Sequence, residues 1–572
     1  PYNTKCYDNL DKFINFDQMQ VCRWQSELCR TLQKTDEAIA PARRYAALVR
    51  QYVVANFDYL SSDERARFIA DHSTSGLLIN QLLPVRGQEL AADAYDAALF
   101  DKGLLLHSWE RIRRAILRSG DAALISRLDT LESMNTALRA IHVGANDPES
   151  AKRMNELQSG IERIEKYLAG RTAAFRTDTM RTVTWQQVRD ALKPSEAAIE
   201  FVATDTAAAA LIVKPGCERP IIVPIDGAGQ VTAMLRQTDN MPADTRVRRL
   251  YRYGRSRLYD LLWRNIDRRL GGVGTIYFSP TGELNRIAFA AIPISADSCL
   301  IDRYDLRQLS TTAELTRGSV GGHISRAALF GGINYSPGQG DGRHAQSGER
   351  AAIEEEFAYL GETRHETDTI AKCMLKAGID IDVYSGDDAT EPAFYSLDGN
   401  SPAILHIATH GFFIDMSQPA DQYAILRSHP AAKFSSMQRT GLAFAGANAT
   451  WGGAQRPDRE DGILTANELS LLDLGQTRLA VLSACETGLG TYNTEGVWGL
   501  QRGFKEAGVH TLVMSLWNVN DRATSEFMQA FYRHLTGGSP MHDAFDKAVA
   551  ELRRTHPDPF FWAAFILLDG IR

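Results

Sequence analysis

Three apolar runs in the C-terminal half of the chain each end on a side chain able to do chemistry. "AILHIATHG" ends on His410 before Gly411, "LAVLSACETG" brings Cys485 to its end, and "TLVMSLWNVND" closes on Asp521. A free thiol with a pKa of about 8.5 is only a few per cent thiolate at neutral pH, so a nucleophilic cysteine needs a base or cation beside it. His410 is of the right type to assist thiolate formation and then to protonate a departing amine. The tetrahedral oxyanion of such a reaction also needs two close donors. The backbone N–H groups of Gly411 and Cys485 are the candidates, since glycine has no Cβ to block approach. Each residue alone has a plainer reading, as a packed thiol at a strand end or a core histidine. His406, inside the run that ends on His410, is read in that plainer way. By themselves these residues leave Cys485 open between nucleophile and core packing.

Parallel strands are what must position them, because ligands of an open α/β sheet sit outside the carboxyl ends of its strands. From about residue 325, strand and helix patterns alternate through "AALFGGINY", "HETDTIAKCMLKAG", "IDVYSG", "PAILHIATHG", "TRLAVLSACETG", "EGVWGLQRGFKEAG" and "VHTLVMSLWNV". That alternation predicts a mostly parallel sheet covered by helices on both faces, with His410, Cys485 and Asp521 at one edge. A first α/β unit, about 195–320, contains "AAIEFVAT", "AAALIVKP" and "GTIYFSPTGELNRIAFAAIPI". It has no paired Cys and His at strand ends and is assigned a structural role. The two sheets are expected to pack together, since an isolated edge is a pairing hazard. Residues 1–180 read as helix after helix, a packing or partner-binding region without a 34-residue repeat. Residues 412–461 stand outside the alternation and are expected to be a functional loop.

With 572 residues the chain is too long for one core. It is 44% hydrophobic and 23% charged, without a run of 18 apolar residues, so no membrane span is expected. A net charge of -7 and the lack of a basic cluster argue against direct nucleic-acid binding. The seven cysteines are scattered, with neither a CxxC pair nor a metal-like Cys/His grouping. They point to reduced thiols in a cytoplasmic setting, with no metal and no cofactor. The opening "PYNTKCYDNL" has no initiator Met and no leader, as expected of a fragment or processed form.

The ordered blocks "LHIATHGFF", "EDGILTANELSLLDL", "VLSACETGLG", "EGVWGLQRGFKEAG", "MSLWNVNDRAT" and "DPFFWAAFILLDG" resemble the CHAT domain, the caspase-HetF-associated peptidase domain related to caspases and separase. The resemblance covers residues 195–572. "AYDAALFDKGLLL" upstream resembles the helical segment that joins tetratricopeptide repeats to CHAT domains in bacterial proteins. The resemblance implies an α/β caspase-like fold, with a pseudo-protease half (195–320) and an active half (325–572), behind an all-α region (1–180). It implies a cysteine endopeptidase using a His–Cys dyad, with His410 as general acid/base and Cys485 as nucleophile. "LWNVND" is similar to a separase block and implies that Asp521 binds an Arg or Lys before the cut bond; the alternative is a helix cap. Asp461 and Glu486 are further candidates for shaping that pocket. Implied partners are a protein substrate and a regulatory protein docked on the helical region, in bacterial defence or cell-death signalling. The 412–460 segment would order over the cleft on activation, and Arg343, Arg350 and Arg439 would offer self-cleavage sites in open loops. The competing readings are an inactive scaffold and a cysteine amidohydrolase acting on small molecules.

Overall fold

A computed structural model of the chain describes residues 2–571 other than 57–63, 65–67, 69–70, 86–87, 107, 143–147, 173–182, 205–206, 240, 253–255, 319–323, 337–355, 415–435, 452–460, 485–490, 494–495 and 520. The strands are β1 (Glu196–Ala203), β2 (Ala208–Val213), β3 (Ile221–Pro224), β4 (Thr275–Ser279), β5 (Asp305–Gln308), β6 (Arg326–Ile333), β7 (Asp380–Gly386) and β8 (Ile404–Ile407). They continue as β9 (Gly411–Phe413), β10 (Thr440–Ala443), β11 (Ile463–Thr465), β12 (Leu479–Leu482), β13 (Thr491–Asn493), β14 (Gly496–Trp498), β15 (Thr511–Ser515) and β16 (Phe565–Leu568).

Among the described residues, eleven strands form one sheet in the order β3-β2-β1-β4-β5-β16-β15-β12-β8-β6-β7. β1, β4 and β5 are mutually parallel, as are β15, β12, β8, β6 and β7. β16 runs antiparallel to β15 and parallel to β5, so the two parallel sets point in opposite directions. Their carboxyl ends therefore open on opposite edges of the sheet. The expected mostly parallel sheet with flanking helices is present, and the two halves share one continuous sheet. They join edge to edge, β5 to β16 at Gln308 and Leu568, which leaves neither edge exposed at the join. Buried Asp569, just past β16, pins the junction: it pairs with Lys505 Nζ at 2.8 Å and accepts the Ser310 N–H at 2.8 Å.

Strand alternation sends successive residues to opposite faces. Ala327 and Leu329 of β6, Val481 of β12 and Val513 of β15 enter a core shared with Phe201, Trp263 and Phe289 of the first half. Ala328, Phe330, Leu405, Ala480, Leu482 and Met514 enter a second core on the opposite face. The helices Gly361–Lys376, Asp521–Thr536 and Met541–Thr555 cover the first of these faces. Gly331 lets the helix Gly361–Lys376 lie close on β6, since a Cβ there would meet Thr367 Cγ2 at 2.6 Å and Thr363 O at 2.9 Å. The described part of residues 412–461 carries secondary structure of its own. β9, β10 and β11 form a three-stranded antiparallel sheet, and the helix Ala447–Trp451 packs beneath it. The apolar "GLAFAG" supplies β10, whose residues are all buried.

Among the described residues the N-terminal region is all helical, from Tyr2–Thr31 to Pro148–Thr172. No helix among the described residues is long and apolar enough to cross a membrane. Leu78, Ile79, Tyr95 and Leu99 of this region bury the face of β1 and β2 that carries Ala198, Val202, Leu211 and Val213. Glu200 falls on that same face. The helix Ala91–Leu106 answers it with Lys102, whose Nζ lies 2.7 Å from Glu200 Oε2 and donates to Ser279 O and Oγ. Glu200 Oε1 also accepts from Thr311, Thr312 N and Thr312 Oγ1. Burial pulls the Lys102 ammonium below its ordinary pKa, and the Glu200 charge opposes that fall.

Removing one member of a buried, hydrogen-bonded pair strands the other. Lys102→Met is expected to destabilise by about 3 kcal/mol, read as a lower urea midpoint, with part of the loss restored by adding Glu200→Gln. An unchanged midpoint would contradict the pairing. At the other face, Asp302 holds Arg553 through two bonds of 2.8 and 3.1 Å. Burial raises its carboxyl, but Arg553 and the Cys299 N–H outweigh that and bring it down to about 2. Because the folded pKa is depressed, this contribution is complete above the ordinary carboxyl pKa of about 4 and is lost as pH falls towards 2. Thermal melts of Asp302→Asn should show a shallower acid decline than the parent chain over that window.

Candidate functional site

β8 pairs with β12 in parallel at a constant offset, from Ile404 with Leu479 to Ile407 with Leu482. In sequence His410 lies three residues past Ile407, and Cys485 three residues past Leu482. Cys485 and Glu486 themselves fall outside the described residues, as does the Asp521 side chain. What the structure describes is the platform that delivers them. Ser515, the last residue of β15, donates from Oγ to Ala484 O at 2.8 Å and so anchors the residue before Cys485. Asp521 opens the helix Asp521–Thr536, which follows β15 by a short connection at the same edge. The three sequence segments thus converge on the carboxyl ends of adjacent parallel strands, as their apolar character on both faces predicts.

His410 sits in an aromatic enclosure. Its ring centroid is 5.1 Å from that of Tyr335 and 5.4 Å from that of Phe357, and Phe357 in turn packs on Trp451 at 4.8 Å. Its Nε2 lies 2.7 Å from the Ala358 carbonyl oxygen. A carbonyl can only accept, so Nε2 carries the proton and Nδ1 carries the lone pair in the neutral ring. Below it, Thr409 donates to Ala443 O at 2.5 Å, and Tyr335 OH is 2.9 Å from Thr409 Oγ1. His410 O accepts from Ala443 N and Ile414 N donates to Arg439 O, so even-numbered residues of this stretch face β10. Alternation then turns the Gly411 N–H to the outer edge of β9, the edge strand of the small sheet.

Asp461 is occupied locally: its Oδ1 accepts from Ile463 N at 2.7 Å and its carbonyl from Thr450 at 2.6 Å. Arg439 is not in an open loop. It immediately precedes β10, half-buried, donates to Ile414 O at 3.0 Å and stacks over Phe413. Arg343 and Arg350 lie outside the described residues.

His406 is a core histidine, as expected, but an elaborate one. Fully buried, it places Nδ1 3.1 Å from Tyr532 OH and Nε2 3.0 Å from Glu366 Oε1, the latter outside hydrogen-bonding geometry. Burial, reinforced by the Glu366 charge, raises the Tyr532 hydroxyl well above its ordinary pKa, so it remains O–H. Glu366 goes unremarked in the sequence reading, yet Thr363, Glu366, Thr367, Ile370, Ala371 and Met374 form the buried stripe of their helix, and an acid on an apolar stripe is the signal. Ala358, contributing a backbone carbonyl, leaves no such trace. One group of potential metal ligands converges elsewhere among the described residues, Asp305, His542 and Asp546. There Arg307 already supplies the cation, 2.8 Å from Asp305, so the cluster reads as an ion network between β5 and the helix Met541–Thr555.

The family model described as the CHAT domain matches residues 252–570. Among curated proteins, tetratricopeptide repeat protein 28 of Homo sapiens is 31% identical over 116 residues, which is 20% of this chain and 5% of that protein. The Mus musculus protein of the same name matches over the same length. The chain thus spans only a small fraction of these relatives. Among solved structures, the Arg-specific cysteine proteinase gingipain R is 9% identical, with a TM-score of 0.32, covering 58% of this chain and 74% of that one. The Saccharomyces cerevisiae separase–securin complex is 8% identical, with a TM-score of 0.40, covering 97% and 47%.

The Ala358 contact makes a spectroscopic prediction. Nitrogen NMR of the neutral His410 ring should report the proton on Nε2. A dominant Nδ1–H tautomer would contradict the arrangement, and Phe357→Ala should weaken the Nε2–H preference by loosening the segment that carries Ala358.

Proposed function

The chain belongs to the CHAT-domain family, and from that premise we propose that it is a cysteine endopeptidase. His410 Nδ1 accepts the Cys485 proton, and the thiolate attacks the carbonyl carbon of the substrate peptide. The oxyanion forms against the N–H groups of Gly411 and Cys485. Collapse breaks the C–N bond, with His410 returning the proton to the leaving amine. Water activated by the same ring then hydrolyses the thioester. The observation that supports this most is the parallel, constant-offset pairing of β8 with β12, because it directs the segments bearing His410 and Cys485 to one edge.

Cleavage is assigned after a basic residue, with Asp521 contributing at the start of its helix. Regulation is assigned to a protein partner on the helical region. In support, that region reaches the catalytic half directly: Arg113 holds Asp398 at 2.8 Å, and Leu471 packs into the helical core around Ile112, Ile116 and Leu128. A partner that reshapes the helices would therefore act on the connection leading into β12.

Cys485→Ala and His410→Ala are each expected to lower peptide hydrolysis by about a thousandfold or more while leaving the melting temperature unchanged. Proteome-wide mapping of new N-termini, parent chain against Cys485→Ala, should show basic residues before the cuts. Identical N-termini in the two samples would refute the peptidase. Asp521→Ala should lower kcat/KM for basic peptides more than for neutral ones.

A further inference from the structure

β9 lies at one edge of the small sheet, and no described strand pairs with its outer side. On its inner side His410 and Ile414 bond to β10, and Phe412 stands opposite Gly441. Alternation turns the N–H and the carbonyl of both Gly411 and Phe413 outwards, four groups in a row that begin at the proposed oxyanion donor. An unpaired edge is a template for another strand, and native proteins blunt such edges with charge or proline. β7, at one edge of the large sheet, is blunted in this way by exposed Asp380 and Asp382. Gly411, Phe412 and Phe413 carry neither charge nor proline, and all three are only half-buried.

We propose, resting on the peptidase reading above, that the substrate segment after the cut bond adds to β9 as a parallel strand. The Gly411 N–H takes the carbonyl oxygen of the cut bond, which fixes the register. In a parallel ladder a residue donates to the partner residue before its opposite number and accepts from the one after it. Gly411 therefore stands opposite the first residue after the cut bond, and its carbonyl accepts from the N–H of the second. Phe413 donates to the carbonyl of that second residue and accepts from the N–H of the fourth. An antiparallel partner would instead carry the residues after the cut bond back towards Thr409 and Ala408, which are 1% and 0% exposed. In the parallel register the second residue falls beside Phe412, whose ring packs on Trp451 at 5.1 Å and on Phe357 at 6.5 Å. That face suits an apolar or aromatic side chain. Gly411 presents no side chain, so β9 does not select the first residue after the cut bond.

The test uses the full chain and internally quenched peptides that carry arginine before the cut bond and several residues after it, N-methylated at one position at a time. A methyl group on the second or the fourth residue after the cut bond should lower kcat/KM by about fivefold or more, and one on the third should leave it unmoved. Phenylalanine in the second place should exceed serine several-fold. Phe413→Pro removes an outward N–H and no bond to β10, and it should weaken the extended peptide more than a coumarin amide that ends at the cut bond. The scan itself is made on the parent chain, so it stands whether or not that variant folds. Equal losses at the second, third and fourth positions, or losses confined to residues before the cut bond, would overturn the proposal. Binding of the same peptides to the Cys485→Ala chain, followed by fluorescence anisotropy, separates the two failures. Loss at the second and fourth positions, without cleavage by the parent chain, upholds the edge and rejects the peptidase. Binding without that alternation rejects the edge whether or not cleavage occurs.

Discussion

A parallel ladder can only be closed by crossover connections, and that constraint organises most of this molecule. β8, β12 and β15 lie side by side although tens of residues of chain separate them. Each crossover must place a helix against a face, and in doing so it returns the next strand in the same direction. The carboxyl end of every strand in the set is therefore delivered to the same edge. His410 and the residues leading to Cys485 meet there because the ladder admits no other arrangement. The crossover helix Gly361–Lys376 also furnishes Glu366, and the helix after β15 furnishes Tyr532; the two flank His406 under the site.

The first half obeys the same rule in the opposite sense. Its parallel strands point the other way, so their carboxyl ends open on the far edge. There Lys102 fills the space beside Ser279 and neutralises Glu200, tying the helical region to the sheet with a charge that water does not reach. At the junction Asp569 pairs with Lys505 of its own half and accepts the Ser310 N–H across the join, while Asp302 holds Arg553 across it. A buried pair such as Lys102–Glu200 adds little net energy over well-packed apolar residues, but it penalises any other docking of the helical region on the sheet.

Around the site, polar and aromatic contacts divide the labour. The carbonyl of Ala358 sets which imidazole nitrogen carries the proton, while Tyr335, Phe357 and Trp451 hold the ring against the small sheet. That sheet arises from the stretch between β8 and β12, where Gly441 permits close approach: a Cβ there would meet Leu464 O at 2.6 Å. The helix Ala447–Trp451 then carries Trp451 back against Phe412.

Periodicity and residue type carried much of this in the linear chain. Strands apolar on both faces imply a parallel sheet, and a histidine and a cysteine just past two of them imply one edge, because direction along a strand is a local property. A glutamate on an apolar helical stripe, or in the middle of "AAIEFVAT", signals a buried partner without naming it. What the linear chain does not encode locally is which distant group answers. That Lys102 meets Glu200, that a backbone carbonyl caps His410, and that two sheets merge through β5 and β16 depend on long-range packing. Those contacts form only when separated elements are brought together, so only the tertiary structure decided them.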